Sequence, residues 1–142
     1  MNSLLRPEDL SKIANDAETA KMQKALELKR VVDDEKKSLR DAFMHRDLRP
    51  DVDERVNKAI RRAAEDGLRE VMALSFPASY CNDGGRRINN LEADWPVSLE
   101  GFAKIAYDYH QQKLQPLGYR LTARVLDYPG GFPGEIGLFL SW

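Results

Sequence analysis

The stretch that decides the fold is YRLTARVLDYPGGFPGEIGLFLSW, residues 119–142, at the C-terminal end of the chain. Apolar and polar side chains alternate over 119–125 and again over 135–142, and this period of two is typical of strands with one buried face. The segment between them, 129–134, is rich in Pro and Gly and has the composition of a turn. The two stretches therefore predict an antiparallel β-hairpin, whose apolar face has to be covered.

The residues just before the hairpin predict the helix that covers it. Ser98 is placed to cap the N-terminus of this helix, and Gly118 lies where a glycine commonly follows a helix end. The apolar face of the helix is formed by residues at helical intervals: Leu99, Phe102, Ala103, Ala106, Tyr109, His110 and Leu114. Farther upstream, 74–80 (LSFPASY) is the candidate for a third short strand, which Pro77 restricts to an edge of the sheet.

The N-terminal half of the chain has a different composition. Residues 1–72 hold 32 of the 45 charged side chains but one of the 12 aromatic ones, Phe43. Such a stretch is typical of long, solvated helices, and we predict one over about 7–47 and a second over about 51–74. Pro50 separates them, because the residue before a proline is disfavoured in the helical conformation.

Both predicted helices carry apolar faces that need a partner. The first has a thin seam that begins at Leu10 and shifts its phase near 21–24. In the second, Ala59, Ala63 and Gly67 form a row of small residues, which predicts either close approach of another helix or a kink at the glycine. Because the first helix is the longer one, a hairpin of the two leaves part of its seam uncovered, and we expect a homo-oligomer through both helices.

These elements predict a mixed α+β fold. A long N-terminal helical hairpin is followed by a small domain of one helix packed on the C-terminal antiparallel β-hairpin, with the third short strand as a candidate addition. We expect 1–74 to be a coiled-coil-like oligomerisation region and 75–142 to be a small α+β domain. A core formed by so few residues is marginal, so the second domain should need support from the second helix or from another chain.

Composition excludes several classes of protein. The net charge is −1 over 142 residues, which argues against nucleic-acid binding, since such proteins usually carry a basic excess. The absence of a long apolar run and of a signal-peptide pattern leads us to expect a cytoplasmic protein without a membrane segment. Cys81, His45 and His110 have no metal-ligand spacing, so we expect neither a metal nor another cofactor.

The segment 81–96 is the candidate binding site, and its sequence CNDGGRRINN suggests two interpretations. In one, the paired glycines expose backbone N–H groups, and Asp83, Arg86, Arg87 and Asn89 bind a phosphate, a carboxylate or a protein. In the other, which is the commoner behaviour of such loops, the glycines form a turn and Asp83 pairs locally with an arginine.

A second candidate is the pair of Cys81 and His110. The cysteine is a nucleophile if the fold brings the histidine to it, but a buried structural cysteine is the commoner interpretation. Taken together, the residues favour a non-enzymatic interaction or assembly protein that binds a protein or a small anionic partner. The alternatives are a small enzyme or enzyme subunit with its site in 81–96, and a winged-helix-like regulator.

Overall fold

The computed structural model describes residues 3–142 and has the mixed α+β fold that the sequence predicts. A long helix and a second helix precede a three-stranded antiparallel sheet, with short helices between its strands. The chain divides into a first unit that ends at Asp41 and a second unit, Ala42–Trp142. The second helix belongs to the second unit, whereas the predicted oligomerisation region, 1–74, groups it with the first. The role of that region stays a prediction.

The first unit consists almost entirely of α1 (Pro7–Met44). Pro7 suits the first helical turn, and Glu8 and Asp9 place negative charge at the positive end of the helix dipole. The backbone N–H of Arg6 donates to the Asp9 carboxylate at 3.1 Å. All residues from 3 to 42 are exposed, as expected of a charge-rich stretch without aromatic side chains. The predicted long N-terminal helix is confirmed.

α2 (Val52–Glu65) is shorter than the sequence predicts, because the chain leaves the helix at Gly67. Gly67 has a φ of +79°, which favours glycine. The N–H of Leu68 donates to the carbonyl of Ala63 at 2.9 Å, and the N–H of Gly67 donates to the carbonyl of Ala64 at 3.0 Å. These two bonds form a Schellman motif, which satisfies the last carbonyls of the helix.

The predicted role of Gly67 in helix packing is therefore wrong. A Cβ added at Gly67 meets no atom of residues 3–142 within 4 Å, so no element in that range approaches it closely. The apolar residues that continue the predicted stripe beyond Gly67, Val71 and Leu74, belong instead to the first strand.

The sheet consists of β1 (Glu70–Pro77), β2 (Arg120–Val125) and β3 (Glu135–Ser141) in the order β1-β3-β2. β3 pairs antiparallel with both neighbours, so the predicted hairpin and the candidate third strand are both confirmed. The candidate third strand of the sequence analysis is β1. It begins at Glu70, earlier than predicted, and carries a bulge between Met72 and Leu74. As the central strand, β3 contributes three of the most buried side chains of the core: Ile136, Leu138 and Leu140.

The helix before the hairpin starts later than predicted. Ser98 does not cap it: this residue is fully buried in a 3₁₀ turn (Trp95–Ser98), where its hydroxyl donates to the Trp95 carbonyl at 2.7 Å. The α-helix covers Phe102–Tyr109, which we label α4 because a one-turn helix, α3 (Arg86–Asn89), precedes it. α4 continues as a π-helical turn over His110–Leu114.

An aromatic cluster joins the end of α1 to the rest of the second unit. The ring of Phe43 lies 4.9 Å from that of Tyr80, 5.5 Å from that of Phe76 and 6.1 Å from that of Phe102, between centroids. Gly101 lies against this segment, and its lack of a side chain permits the backbone of Met44 to approach.

Candidate functional site

The segment 81–96 is more ordered than the predicted loop, because it contains α3 and the start of the 3₁₀ turn at Trp95. Ile88 is buried in the core, where it packs α3 against residues of the sheet. Gly84 and Gly85 both have positive φ, as the sequence leads one to expect of this pair. Asp83, which the sequence offered as a binding residue or as the local partner of an arginine, holds the start of the helical turn.

Asp83 is bound within its own segment. Its carboxylate accepts hydrogen bonds from the backbone N–H of Gly85 at 2.9 Å and of Arg87 at 3.0 Å. Burial opposes its ionisation, but these two backbone bonds and the Arg87 side chain outweigh that effect and lower the pKa of Asp83. The residue therefore acts as a charged cap for α3.

Arg87 is held between two carboxylates. Its Nη1 lies 3.2 Å from Asp83 and its Nε lies 3.2 Å from Asp94. The guanidinium thus links the beginning of α3 to the residue just before the 3₁₀ turn. This arrangement agrees with the second interpretation of the segment, in which Asp83 pairs locally with an arginine.

The other two predicted binding residues lie apart from this pair. Asn89 accepts a hydrogen bond from the hydroxyl of Tyr128 at 2.7 Å, so it connects α3 to the segment that follows β2. Arg86 is exposed, and its side chain makes no hydrogen bond or ion pair with any residue of 3–142. Of the four predicted residues, Arg86 is the one whose charged group is available to a partner.

Cys81 and His110 do not form a nucleophilic pair. Both ring nitrogens of His110 are occupied: Nε2 donates to the carbonyl of Tyr119 at 2.8 Å, and Nδ1 accepts from the side-chain amide of Gln111 at 3.0 Å. Burial raises the pKa of the Cys81 thiol to about 11, although a hydrogen bond with Ser98 opposes the shift. Cys81 is a buried core residue, as its commoner interpretation holds.

An apolar cavity of about 290 Å³ lies inside the second unit, and the sequence did not reveal it. It lies between α2, α4 with its π-helical turn, and the sheet, and it is partly open to solvent. The residues at its edge are polar or charged: Arg46, Asp47, Arg49, Arg55 and Tyr109. The inner lining is mostly aliphatic: Val52, Val56, Ala59, Ile60, Val71, Leu74, Ala106, Leu114, Leu121, Leu138 and Leu140.

One charged cluster fixes α2 beside α4 at this cavity. The hydroxyl of Tyr109 donates to Asp53 at 2.5 Å, and the ammonium of Lys113 donates to the same carboxylate at 3.1 Å. These bonds lower the pKa of Asp53, that from Tyr109 contributing most. Burial, together with the neighbouring carboxylate, raises the pKa of Tyr109 to about 12, so its hydroxyl remains a donor at neutral pH.

Comparison with known proteins gives no assignment. No protein-family model matches the chain, and no curated protein or solved structure matches it either. Within residues 3–142, no three His, Cys, Asp or Glu side chains are grouped so that they could hold a metal ion. None of the helices in that range has the length and apolarity needed to cross a membrane.

Proposed function

We propose that this chain is a non-enzymatic interaction or assembly protein, which self-associates through α1 and binds a protein or small anionic partner with its second unit. The observation that carries the proposal is that α1 has no buried residue over its 38 residues. In proteins, a helix obtains most of its stability by packing an apolar face against another element. A helix of this length without a buried residue is therefore stabilised by a partner.

The apolar seam of α1 is available for such a partner. Leu10 is 52% exposed, Leu28 is 67% exposed and Val32 is 40% exposed. Large aliphatic side chains at helical intervals on a solvated helix are typical of helix–helix interfaces. The apolar side of α2 faces the cavity and the sheet, and we therefore place self-association on α1 alone.

The charges of α1 favour a second copy as the partner. Residues 7–19 contain four acidic side chains and one lysine, whereas 20–32 contain four basic side chains and one glutamate. At 100° per residue, Asp16 flanks the seam in the acidic stretch, and Lys21 and Lys24 flank it in the basic stretch. The electrostatic energy of a pair of these helices therefore depends on whether the two copies run parallel or antiparallel.

An antiparallel pair suits this pattern. Two copies centred on residue 19 place the acidic stretch of each beside the basic stretch of the other, over about 39 Å at 1.5 Å per residue. In this register, Leu10 of one copy lies beside Leu28 of the other, and Ile13 lies beside Ala25. A parallel pair brings together like charges along the same length, which is unfavourable.

A charge-swapped chain tests self-association and its direction together. The variant carries Asp16→Lys and Glu18→Lys with Lys21→Glu and Lys24→Glu, so its net charge and apolar seam are unchanged. In an antiparallel pair, the variant forms its own dimer but does not mix with the wild type, because mixed pairs place like charges side by side.

Native mass spectrometry of the mixture, with one chain isotopically labelled, measures the outcome. We expect two homodimers and few heterodimers. An excess of heterodimers over the statistical half contradicts the antiparallel arrangement, and monomers of both chains at tens of micromolar contradict self-association. The matched control carries Asp16→Lys and Glu18→Lys alone, and we expect it to lose its own dimer but to retain its helix content.

The two alternative functions receive less support from the described residues. In segment 81–96, Asp83 and Arg87 are engaged with each other, so neither is free to act as the acid or base of an enzyme. For a winged-helix regulator, the turn 129–134 carries no positive charge, and α4 has one lysine, Lys104, against Asp108. Exposed Arg86 is the feature of this segment that favours an anionic partner.

A further inference from the structure

We propose that the cavity beneath α2 binds a small amphipathic carboxylate, with its apolar body inside and its carboxylate at Arg49 and Arg46 on the edge. This inference rests on the part of the proposed function that assigns an anionic partner to the second unit. It does not depend on self-association of α1.

The inner surface of the cavity suits an aliphatic chain or a single ring. Its volume, about 290 Å³, is just below the usual range for small-molecule sites, and its inner lining is mostly aliphatic. An apolar cavity that stays unfilled loses dispersion contacts, so an apolar body inside it stabilises the folded state. The ligand class is therefore limited to compounds with a short apolar part.

His110 is the one ionisable side chain deep in the lining, and it cannot serve as the anchor of a polar head. It is 4% exposed, and both of its ring nitrogens are bonded, to Tyr119 and to Gln111. The ring therefore presents a carbon surface to the cavity. It lies on the π-helical turn, and such turns occur frequently at functional sites.

The charged groups that could bind a head group lie at the edge of the cavity. Three arginines stand there against one carboxylate, Asp47. Arg55 is paired with Asp51 at 3.1 Å. Arg49 also attracts the Asp51 carboxylate through space, but its side chain makes no hydrogen bond or ion pair with any residue of the described chain. Arg49 is therefore the first candidate for the anion.

Arg46 supports the same position. Its guanidinium carbon lies 4.1 Å from the centre of the Phe102 ring, a cation–π contact that keeps the group beside the apolar lining. A guanidinium can donate two N–H groups to one carboxylate. The edge thus places two guanidinium groups, those of Arg46 and Arg49, beside the apolar lining.

The experiment uses octanoate as the probe, with 1-octanol and acetate as the matched compounds that lack the charge and the apolar chain. We expect octanoate to bind by isothermal titration calorimetry and to raise the melting temperature, 1-octanol to bind more weakly and acetate not to bind. Arg49→Gln should weaken octanoate binding by about tenfold, equivalent to about 1.4 kcal/mol, without changing 1-octanol binding. Arg61→Gln, an exposed arginine of α2 that does not line the cavity, is the control and should bind octanoate as the wild type does.

Ala106→Phe fills the cavity and should abolish binding of both octanoate and 1-octanol, with circular dichroism as the check that it folds. If it does not fold, Arg49→Gln and the two matched compounds still decide the question. The inference is overturned if octanoate fails to bind at millimolar concentration, or binds Arg49→Gln and the wild type equally. The molecular mass of the same samples shows whether α1 self-associates, so failure of the cavity inference and failure of self-association are separate results.

Discussion

Substitution of Gly101 by Ala tests how the end of α1 is anchored in the second unit. Gly101 has φ +57° and ψ −134°, a conformation that residues with a side chain rarely adopt. An added Cβ would lie 2.7 Å from the Cα of Met44 and 3.2 Å from the carbonyl oxygen of Phe43. Neither backbone atom can withdraw without displacing the Phe43 ring from its aromatic neighbours.

The expected cost has two parts. The backbone conformation costs about 1–3 kcal/mol for a residue other than glycine. The overlap with Met44 adds about 1–3 kcal/mol, the usual range for one extra methyl group in a packed site. We therefore expect Gly101→Ala to lower the free energy of unfolding of the second unit by about 2–6 kcal/mol.

Urea denaturation followed by tryptophan fluorescence measures this loss, since both tryptophans, Trp95 and Trp142, lie in the second unit. The matched control is Gly84→Ala: Gly84 also has a positive φ, +69°, but an added Cβ meets no atom within 4 Å. The control should lose only the conformational cost of about 1–2 kcal/mol. If Gly101→Ala is no less stable than Gly84→Ala, the close approach of Met44 is not a constraint on the fold.

Three further substitutions test other parts of the account. Leu28→Asp should raise the dissociation constant of the α1 pair by at least about tenfold in sedimentation equilibrium, because it removes an apolar contact from both copies; an unchanged constant would exclude Leu28 from the interface. Arg87→Ala should lower the melting temperature because it leaves two carboxylates unpaired, whereas Arg86→Ala should not; equal melting temperatures would contradict the structural role of Arg87. Asp53→Asn should lower the melting temperature relative to the wild type above pH 3.8, the ordinary pKa of the carboxyl group. The difference in melting temperature should vanish as the pH falls through the lowered pKa of Asp53 in the folded state, because the wild-type carboxyl group is then protonated and uncharged. A difference that does not shrink as the pH falls below 3.8 would show that charge is not what Asp53 contributes.

The elements predicted correctly are those whose signal is local. The hairpin follows from alternation over 119–125 and 135–142, and the long helix from charge density without Gly or Pro. The end of α2 was open to the same reasoning, since a glycine just after a helix with an arginine in its last turn is an ordinary signal of a C-terminal cap. The C-terminal end of α2 was predicted too late because Val71 and Leu74, in β1, continue the helical spacing of the apolar residues of α2.

The cavity and the Asp53 cluster depend on tertiary structure and have no local signal. Arg46 and Arg49 precede α2 in sequence, whereas the aliphatic lining comes from as far as Leu140. Only the fold brings α2 over the sheet, and only then do two surface arginines border an apolar space. In the segment 81–96, by contrast, one of the two sequence-based interpretations was the observed pairing of Asp83 with an arginine. It could be predicted because Asp83 and Arg87 are close in sequence.

The central claim is that α1 pairs with a second copy, and the molecular mass in solution tests it most directly. Sedimentation equilibrium of the full chain over the micromolar range, at low and high salt, should give a mass approaching twice 16.2 kDa as the concentration rises. Because opposite charges meet in the antiparallel pair, raising the salt concentration should weaken it. A mass of 16.2 kDa at every concentration in low salt would contradict the claim, and a dimer that tightens with salt would contradict its antiparallel arrangement.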